Sequence, residues 1–279
     1  MNAIDAHHHL WSYNEAEYGW LGDEMAMLKR DFTIDDLRAE LQRAGIDGSI
    51  AVQARQTAAE TEWLLSLADE GGPIAGVVGW APLSDRRVDS YLEKWSSNPA
   101  FVGVRHIIQD EPDPDFILGS DFNRGVGSLN RHELAYDILV FEHQLPNTLL
   151  FVDRHPHQRF ILDHAGKPSI RDESYDRWAA HIADLAAREH IYCKLSGLVT
   201  EANWKQWSEQ QIARYVDHLL ETFGPRRLMF GSDWPVCLVA ATYGEWVATV
   251  VALLSRLSDD ERSRIFGGTA REAYRLKET

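Results

Sequence analysis

What most restricts the fold of this chain is an alternation. Short apolar runs recur eight times, at residues 4–9, 48–54, 74–80, 101–108, 136–141, 159–164, 191–195 and 227–231, and helical spacing fills most of the intervals. Such runs read as buried strands. Apolar residues three and four apart read as helices that bury one face. AAETEWLLSLADE, VDSYLEKWSS, SYDRWAAHIADLAARE, SEQQIARYVDHLLETFG and YGEWVATVVALLSRL all carry that spacing. Before DLRAELQRAG, Thr33 stands as an N-cap with Asp36 three residues on, and Gly45 follows where a C-terminal glycine belongs. Eight strand–helix units over roughly 250 residues predict a (β/α)8 TIM barrel. The competing fold is an open doubly wound sheet. It is disfavoured because no glycine-rich fingerprint follows the first run. No repeat, low-complexity tract or Pro/Gly/Ser linker divides the chain, so one barrel domain over residues 1–279 is expected.

The net charge of −15 repels nucleic acid and acidic membrane surfaces, which points to a small-molecule substrate. No stretch approaches the ~18 apolar residues of a membrane span. The N-terminal stretch lacks the basic flank and apolar core of a secretory signal. Cys193 and Cys237 have neither metal-ligand nor disulfide-framework spacing, so a reducing cytoplasm is expected. No surface stripe reads as an interface, and a homo-oligomer stays open. Two connections are long: residues 12–32, with Tyr13, Tyr18 and Trp20, and residues 109–134, with DEPDPDF and LGSDFNRGVGSL. Both are expected as loops at the C-terminal rim, where barrel active sites are built.

The chemistry concentrates at strand ends. In IDAHHHLW, strand alternation puts Asp5, His7 and His9 on one face and His8 on the other. Two imidazoles side by side suit one metal ion. RLMFGSDWPV places Asp233 just past the eighth strand, which neighbours the first in a closed barrel, so Asp233 can face both histidines. A carboxylate there can ligate a metal or take a proton from water. FILDHAGKP ends the sixth strand with Asp163 and His164, and parity alone leaves open which points inward. Arg105 in GVRHII is a cation for a substrate carbonyl, and His106 beside it points the opposite way. Gln53 shares a face with Ser49 and Ala51. Lys194 shares one with Tyr192 and Ser196 and can polarise a carbonyl. Trp11, Trp20, Trp80 and Trp234 lie near strand ends or in the first long loop and offer faces for a sugar ring. No base is paired with either cysteine, and no Gly-x-Ser-x-Gly elbow is present.

IDAHHHLW, GVRHIIQDEPD, LDHAGKP, CKLSGLVTEA and GSDWPV together resemble the amidohydrolase superfamily, in the branch that includes sugar-acid lactonases of the L-fuconolactonase and L-rhamnono-lactonase type. The likeness runs from residue 4 to IFGGTAREAYRL. It implies a (β/α)8 barrel with its site at the C-terminal rim. It carries the His-x-His pair onto His7 and His9, the strand-six histidine onto His164 and the strand-eight aspartate onto Asp233. Dinuclear members bridge two metals with a lysine or glutamate on strand four; FVGVRHII has neither, so at most one divalent ion, zinc first, is expected. Some lactonase relatives work without metal, and a metal-independent site is the alternative. The implied reaction is ring opening of a sugar-acid lactone by water. Asp233 is the expected base, with His164, Arg105 and Lys194 as carbonyl polarisers, and Gln53, Trp20, Trp234 and His106 as substrate contacts. Hydrolysis of an anionic lactone such as a pyrone dicarboxylate, and metal-dependent non-oxidative decarboxylation, are the alternative activities. A non-catalytic binding protein ranks below both.

Overall fold

The computed structural model describes residues 3–277. Its frame is one eight-stranded parallel sheet in chain order: β1 Ile4–His8, β2 Gly48–Val52, β3 Ile74–Gly79, β4 Phe101–Ile107, β5 Ala135–Leu139, β6 Phe160–Leu162, β7 Ile191–Leu195 and β8 Leu228–Phe230. The last strand returns to the first. His9 N donates to Trp234 O (2.7 Å) and Asp233 N to His7 O (2.8 Å), closing the barrel at its C-terminal rim. Every run expected as a strand overlaps one, with ends that differ by at most two residues.

Helices α1 Ile34–Ala44, α2 Ala58–Asp69, α3 Val88–Ser96, α4 Ser120–Leu129, α5 Leu145–Asp153, α6 Asp176–Ala186, α7 Leu198–Glu201, α8 Glu209–Thr222, α9 Tyr243–Leu253, α10 Asp259–Ser263 and α11 Thr269–Ala273 follow in order. Thr33 and Asp36 form the expected reciprocal cap of α1, and Gly45 ends it at φ +67°. The expected long loop over residues 109–134 is corrected: α4 occupies its second half. Gly125 and Gly127 weaken the helical signal there. Gly125 is required because a Cβ would lie 2.0 Å from Leu83 O. Helix α5 also escaped the sequence pattern: in LPNTLLFVD a proline stands second and the run LLFV blurs the three- and four-residue spacing.

The barrel interior is layered. Ile4, Ala6, Ile50, Val52, Val78, Val102, Ala135, Ile161 and Met229 fill the lower part, with Ala270, Ala273 and Tyr274 of the C-terminal segment packed against them. Above them lies a charged layer. Lys194 Nζ meets Asp137 Oδ2 (2.5 Å) and Asp163 Oδ1 (2.9 Å), and Arg105 Nη1 meets Asp163 Oδ2 (3.0 Å). All four are buried. Two cations against two carboxylates leave no net charge, without which such burial would be prohibitive. Tyr274 OH donates to Asp137 Oδ2 (2.6 Å), tying this layer to the apolar one below.

Candidate active site

Strand β1 departs from strict alternation. Its register with β2 shifts between Asp5 and His8. Below the shift Ile4 and Ala6 face the interior. Asp5 instead points outward, accepting from Ser232 N (2.8 Å), Ser232 Oγ (2.6 Å) and Tyr243 OH (3.1 Å). Above the shift His7 and His9 face inward. The expectation that Asp5 shares their face is thus corrected: the extra residue in β1 reverses its parity. Asp5 stitches β1 to the turn that delivers Asp233. His8 is buried on the far side with both ring nitrogens unpartnered, and burial drives its imidazole down to about 3.

After β6 the backbone enters the left-handed region at four successive residues: His164 (φ +52°), Ala165 (+52°), Gly166 (+69°) and Lys167 (+47°). Three of these carry side chains, an arrangement that costs free energy and is found where function requires it. The turn resolves the parity question at this strand. Asp163 reaches down to Arg105 and Lys194, while His164, the next residue, swings to the rim. Gly197 (φ +65°) makes room for the His164 ring; a Cβ there would lie 2.6 Å from it. Asp233 also has positive φ (+57°).

The result is a convergence of nitrogen and oxygen atoms. Asp233 Oδ1 lies 3.5 Å from His9 Nε2 and 3.8 Å from Nε2 of both His7 and His164, and the two β1 Nε2 atoms are 3.2 Å apart. The opposite ring nitrogens are fixed by neighbours. His9 Nδ1 donates to Val52 O (2.8 Å), His164 Nδ1 pairs with Ser196 Oγ (2.9 Å), and His7 Nδ1 lies 3.3 Å from Asp163 Oδ1. Two neighbours claim His7 Nδ1. Lys194 Nζ, a donor only, lies 3.1 Å away and leaves Nε2–H to donate to His9 Nε2. A proton on Nδ1 toward Asp163 instead leaves the Nε2 lone pairs of His7 and His9 facing each other and a carboxylate, a set that would hold an electrophile. Burial and Lys194 push the His7 imidazole well below its ordinary value against Asp163, and burial takes His164 to about 4 against Asp233 and Asp163. Both are neutral at pH 7 and able to ligate. Burial alone would raise the Asp233 carboxyl; His164 and His9, with Lys167 further off, outweigh it and hold the group ionised.

One donor atom each from His7, His164 and Asp233 lies within 4.8 Å of the others, which suits a single ion bound at about 2 Å. Their orienting partners match those of metal-binding histidines. Arg105 is the competitor. Nη1 is 3.3 Å from His7 Nε2, so a built-in cation addresses the same lone pair.

A cavity of about 370 Å³ opens above these residues. His9, His164, Asp233, Arg105 and Trp20 line it. Trp20 is held edge-on to Trp11 at 6.0 Å between ring centroids. The other expected contacts lie elsewhere. Lys194 is fully buried in the charged layer, 3.1 Å from His7 Nδ1, and does not reach the cavity. Gln53 follows β2 and grips Arg105; its expected partners in parity, Ser49 and Ala51, face outward like Asp5. His106 faces away, donating to Glu111 Oε1 (2.6 Å) and accepting from Trp80 Nε1 (3.3 Å). Trp234 is buried edge-on against Phe32. None of these four side chains lines the cavity. Lys167, Glu201, Gln109, Asp110, Thr200 and Trp204 line the cavity and were not singled out in the sequence. Lys167 and Glu201 stand within DHAGKP and CKLSGLVTEA, but loop residues carry no period that reveals their direction.

The amidohydrolase family model matches residues 4–276. An L-fucono-1,5-lactonase of Burkholderia multivorans is 45% identical over 287 residues, covering 99% of this chain and 96% of the relative. An L-fucono-1,5-lactonase of Burkholderia ambifaria is 35% identical over 277 residues, covering 98% and 95%. A crystal structure of an amidohydrolase from Burkholderia multivorans with bound zinc superposes with a TM-score of 0.96 at 44% identity, covering 99% of this chain and 100% of that one.

Proposed function

The chain belongs to the amidohydrolase family, and on that premise we propose that it opens the ring of a sugar-acid lactone, of the L-fucono-lactone kind, by hydrolysis. The observation that carries this reading is one ionised carboxylate, Asp233, held among three imidazoles at the floor of a cavity of sugar size. The two lactonases named above support the substrate class.

Ring opening of a lactone needs an activated water, a polarised carbonyl and a proton for the leaving alkoxide. In this proposal Asp233 takes a proton from water as its oxygen attacks the carbonyl carbon. The C–O bond of the ring then breaks, and Asp233 returns the proton to the ring oxygen. His164 and His9 orient Asp233 and the water. Arg105 contributes its positive charge to the cavity floor. Asp163 and Lys194 act as positioning residues: they hold His7 and Arg105. His7, His164 and Asp233 would hold one divalent ion, zinc being the first candidate. Such an ion supplies Lewis acidity and lowers the pKa of bound water toward about 7. The buried, unpaired cysteines fit a reducing cytoplasm.

The test is proton release from a panel of aldono-1,5- and 1,4-lactones, before and after chelation, with metal content measured in parallel. Turnover of one or more lactones is expected. Silence across the panel, with release of carbon dioxide from a carboxylated aromatic, would replace the lactonase with a decarboxylase.

A further inference from the structure

Arg105 and the pair Lys167–Glu201 both border the cavity, but their hydrogen-bonding states are opposite. Arg105 has five N–H groups, and all five have protein acceptors. Nε and Nη2 address Gln53 Oε1 (3.1 and 2.8 Å), Nη2 also addresses Gln53 O, and Nη1 addresses Asp163 Oδ2 (3.0 Å) and His7 Nε2 (3.3 Å). With His7 Nε2 free of any ion, none is left for a substrate carboxylate. Lys167 Nζ and Glu201 Oε1 are 3.6 Å apart, beyond hydrogen-bond distance, and their side chains are only 16% and 20% exposed. The two heads form a loose ion pair with each other, and Lys167 Nζ also lies 5.1 Å from the centre of the Phe141 ring. Gln109, on the same cavity wall, has a buried and unpartnered Oε1.

A loosely paired ammonium and carboxylate beside an unpartnered amide oxygen describe a ligand by its complement, since buried polar groups are nearly always satisfied. That ligand must donate to a carboxylate and an amide oxygen, and accept from an ammonium. A ring carrying several hydroxyls does both. Burial raises the Glu201 carboxyl above its ordinary range although Lys167 opposes this, so the group gains from any donor brought to it. The backbone presents the pair firmly. Lys167 ends the left-handed turn begun at His164, and Glu201 ends α7, where its carbonyl accepts from Arg171 N (3.0 Å). Thr200 Oγ1 is already spent on Gly197 O (2.6 Å).

We propose that Glu201 and Lys167 form the subsite that reads the ring hydroxyls of the lactone, with Glu201 accepting from one or two of them and Lys167 donating to a neighbouring oxygen. This rests on the lactonase reading and narrows it to a neutral, polyhydroxylated ring. An anionic lactone would meet Glu201, Asp110 and Asp233, with Lys167, already paired with Glu201, as the one cavity cation not held by buried hydrogen bonds.

The experiment compares wild type, Glu201→Gln and Lys167→Met on an aldonolactone that wild type turns over and on δ-valerolactone, which has no hydroxyls. The ratio of the two kcat/KM values is expected to fall about 10- to 100-fold in each variant, as when a site built for a hydroxyl loses its partner. Circular dichroism and Tm are expected to stay near wild-type values, because a loose, partly exposed ion pair contributes little to stability. An unchanged ratio overturns the subsite, whether both activities persist or both fall together with Tm. Wild type inert on every aldonolactone removes the lactonase reading and the subsite with it. Activity on an anionic lactone exceeding that on aldonolactones overturns the subsite alone.

Discussion

Asp233 is buried yet ionised, and that pairing gives the sharpest test at the scale of one residue. Asp233→Asn keeps the size and loses the base. Its kcat is expected to fall by about 10²- to 10⁴-fold, the usual worth of a positioned proton acceptor. KM is expected to change much less. Steady-state kinetics on any accepted lactone check this, and retention of more than a tenth of kcat would remove the base role. Glu60 offers a test of stability. Its carboxylate accepts from Ala54 N (3.1 Å) and Arg55 N (2.7 Å), fixing the chain after β2, yet burial pushes it up to about 7 from an ordinary 4.5. The native state therefore holds this proton more tightly than the unfolded chain, so the group's contribution is full below about pH 4.5 and is lost as pH rises through about 7. The difference in Tm between wild type and Glu60→Gln is expected to shift against wild type between pH 5 and 8, measured by thermal denaturation. A difference flat with pH would refute it. Legibility at this scale followed the period of two. His7 and His9 were readable as a pair two residues apart and Asp233 through barrel closure, whereas the bulge that turns the pair inward and Asp5 outward left no mark on the pattern. Asp163 and His164 were not separable, because a left-handed turn turns both inward, and no alternation encodes that.

At the scale of elements, α4 carries two glycines with opposite duties. Gly125 sits against the Leu83 carbonyl, whereas Gly127 is exposed with nothing within 4 Å of where a Cβ would be. Helix propensity alone makes either Gly→Ala change stabilising by about 1 kcal/mol. Gly127→Ala is expected to gain roughly that. Gly125→Ala is expected to lose about 1–3 kcal/mol, since backbone rather than a flexible side chain must move. Chemical denaturation of both variants checks the pair, and equal signs would refute the packing argument. The same glycine explains why the sequence concealed this helix: a residue kept for close approach to a neighbouring loop reads, locally, as a turn. The six helices that the pattern did reveal are those whose apolar spacing runs unbroken.

At the scale of the molecule, the order of eight strands followed from alternation alone, because parallel strands joined by helices have few ways to close. What alternation cannot encode is the content of the interior: a neutral layer of two cations and two carboxylates between apolar packing and the site. That layer and the rim together predict how the whole chain responds to metal. If His7, His164 and Asp233 bind zinc in the native state only, zinc at 100 times its Kd adds about 2.7 kcal/mol to stability, a Tm rise on the order of 5–10 °C. Differential scanning calorimetry of chelated protein with and without zinc tests this. The rise is expected to vanish in His164→Gln, and its absence in wild type would favour the metal-free mechanism.

The barrel closes where β8 meets β1, and Ser232 Oγ reaches His7 O across 225 residues of chain. Synthesis therefore delivers the components of the site some 225 residues apart. A nascent chain carries His7 and His9 long before the carboxylate they face has been made. Neither the β1–β4 half nor the β5–β8 half owns a site: the first lacks the carboxylate and the second lacks the histidine pair. Lactone hydrolysis by two halves expressed separately would thus report their joining, with no background from either alone.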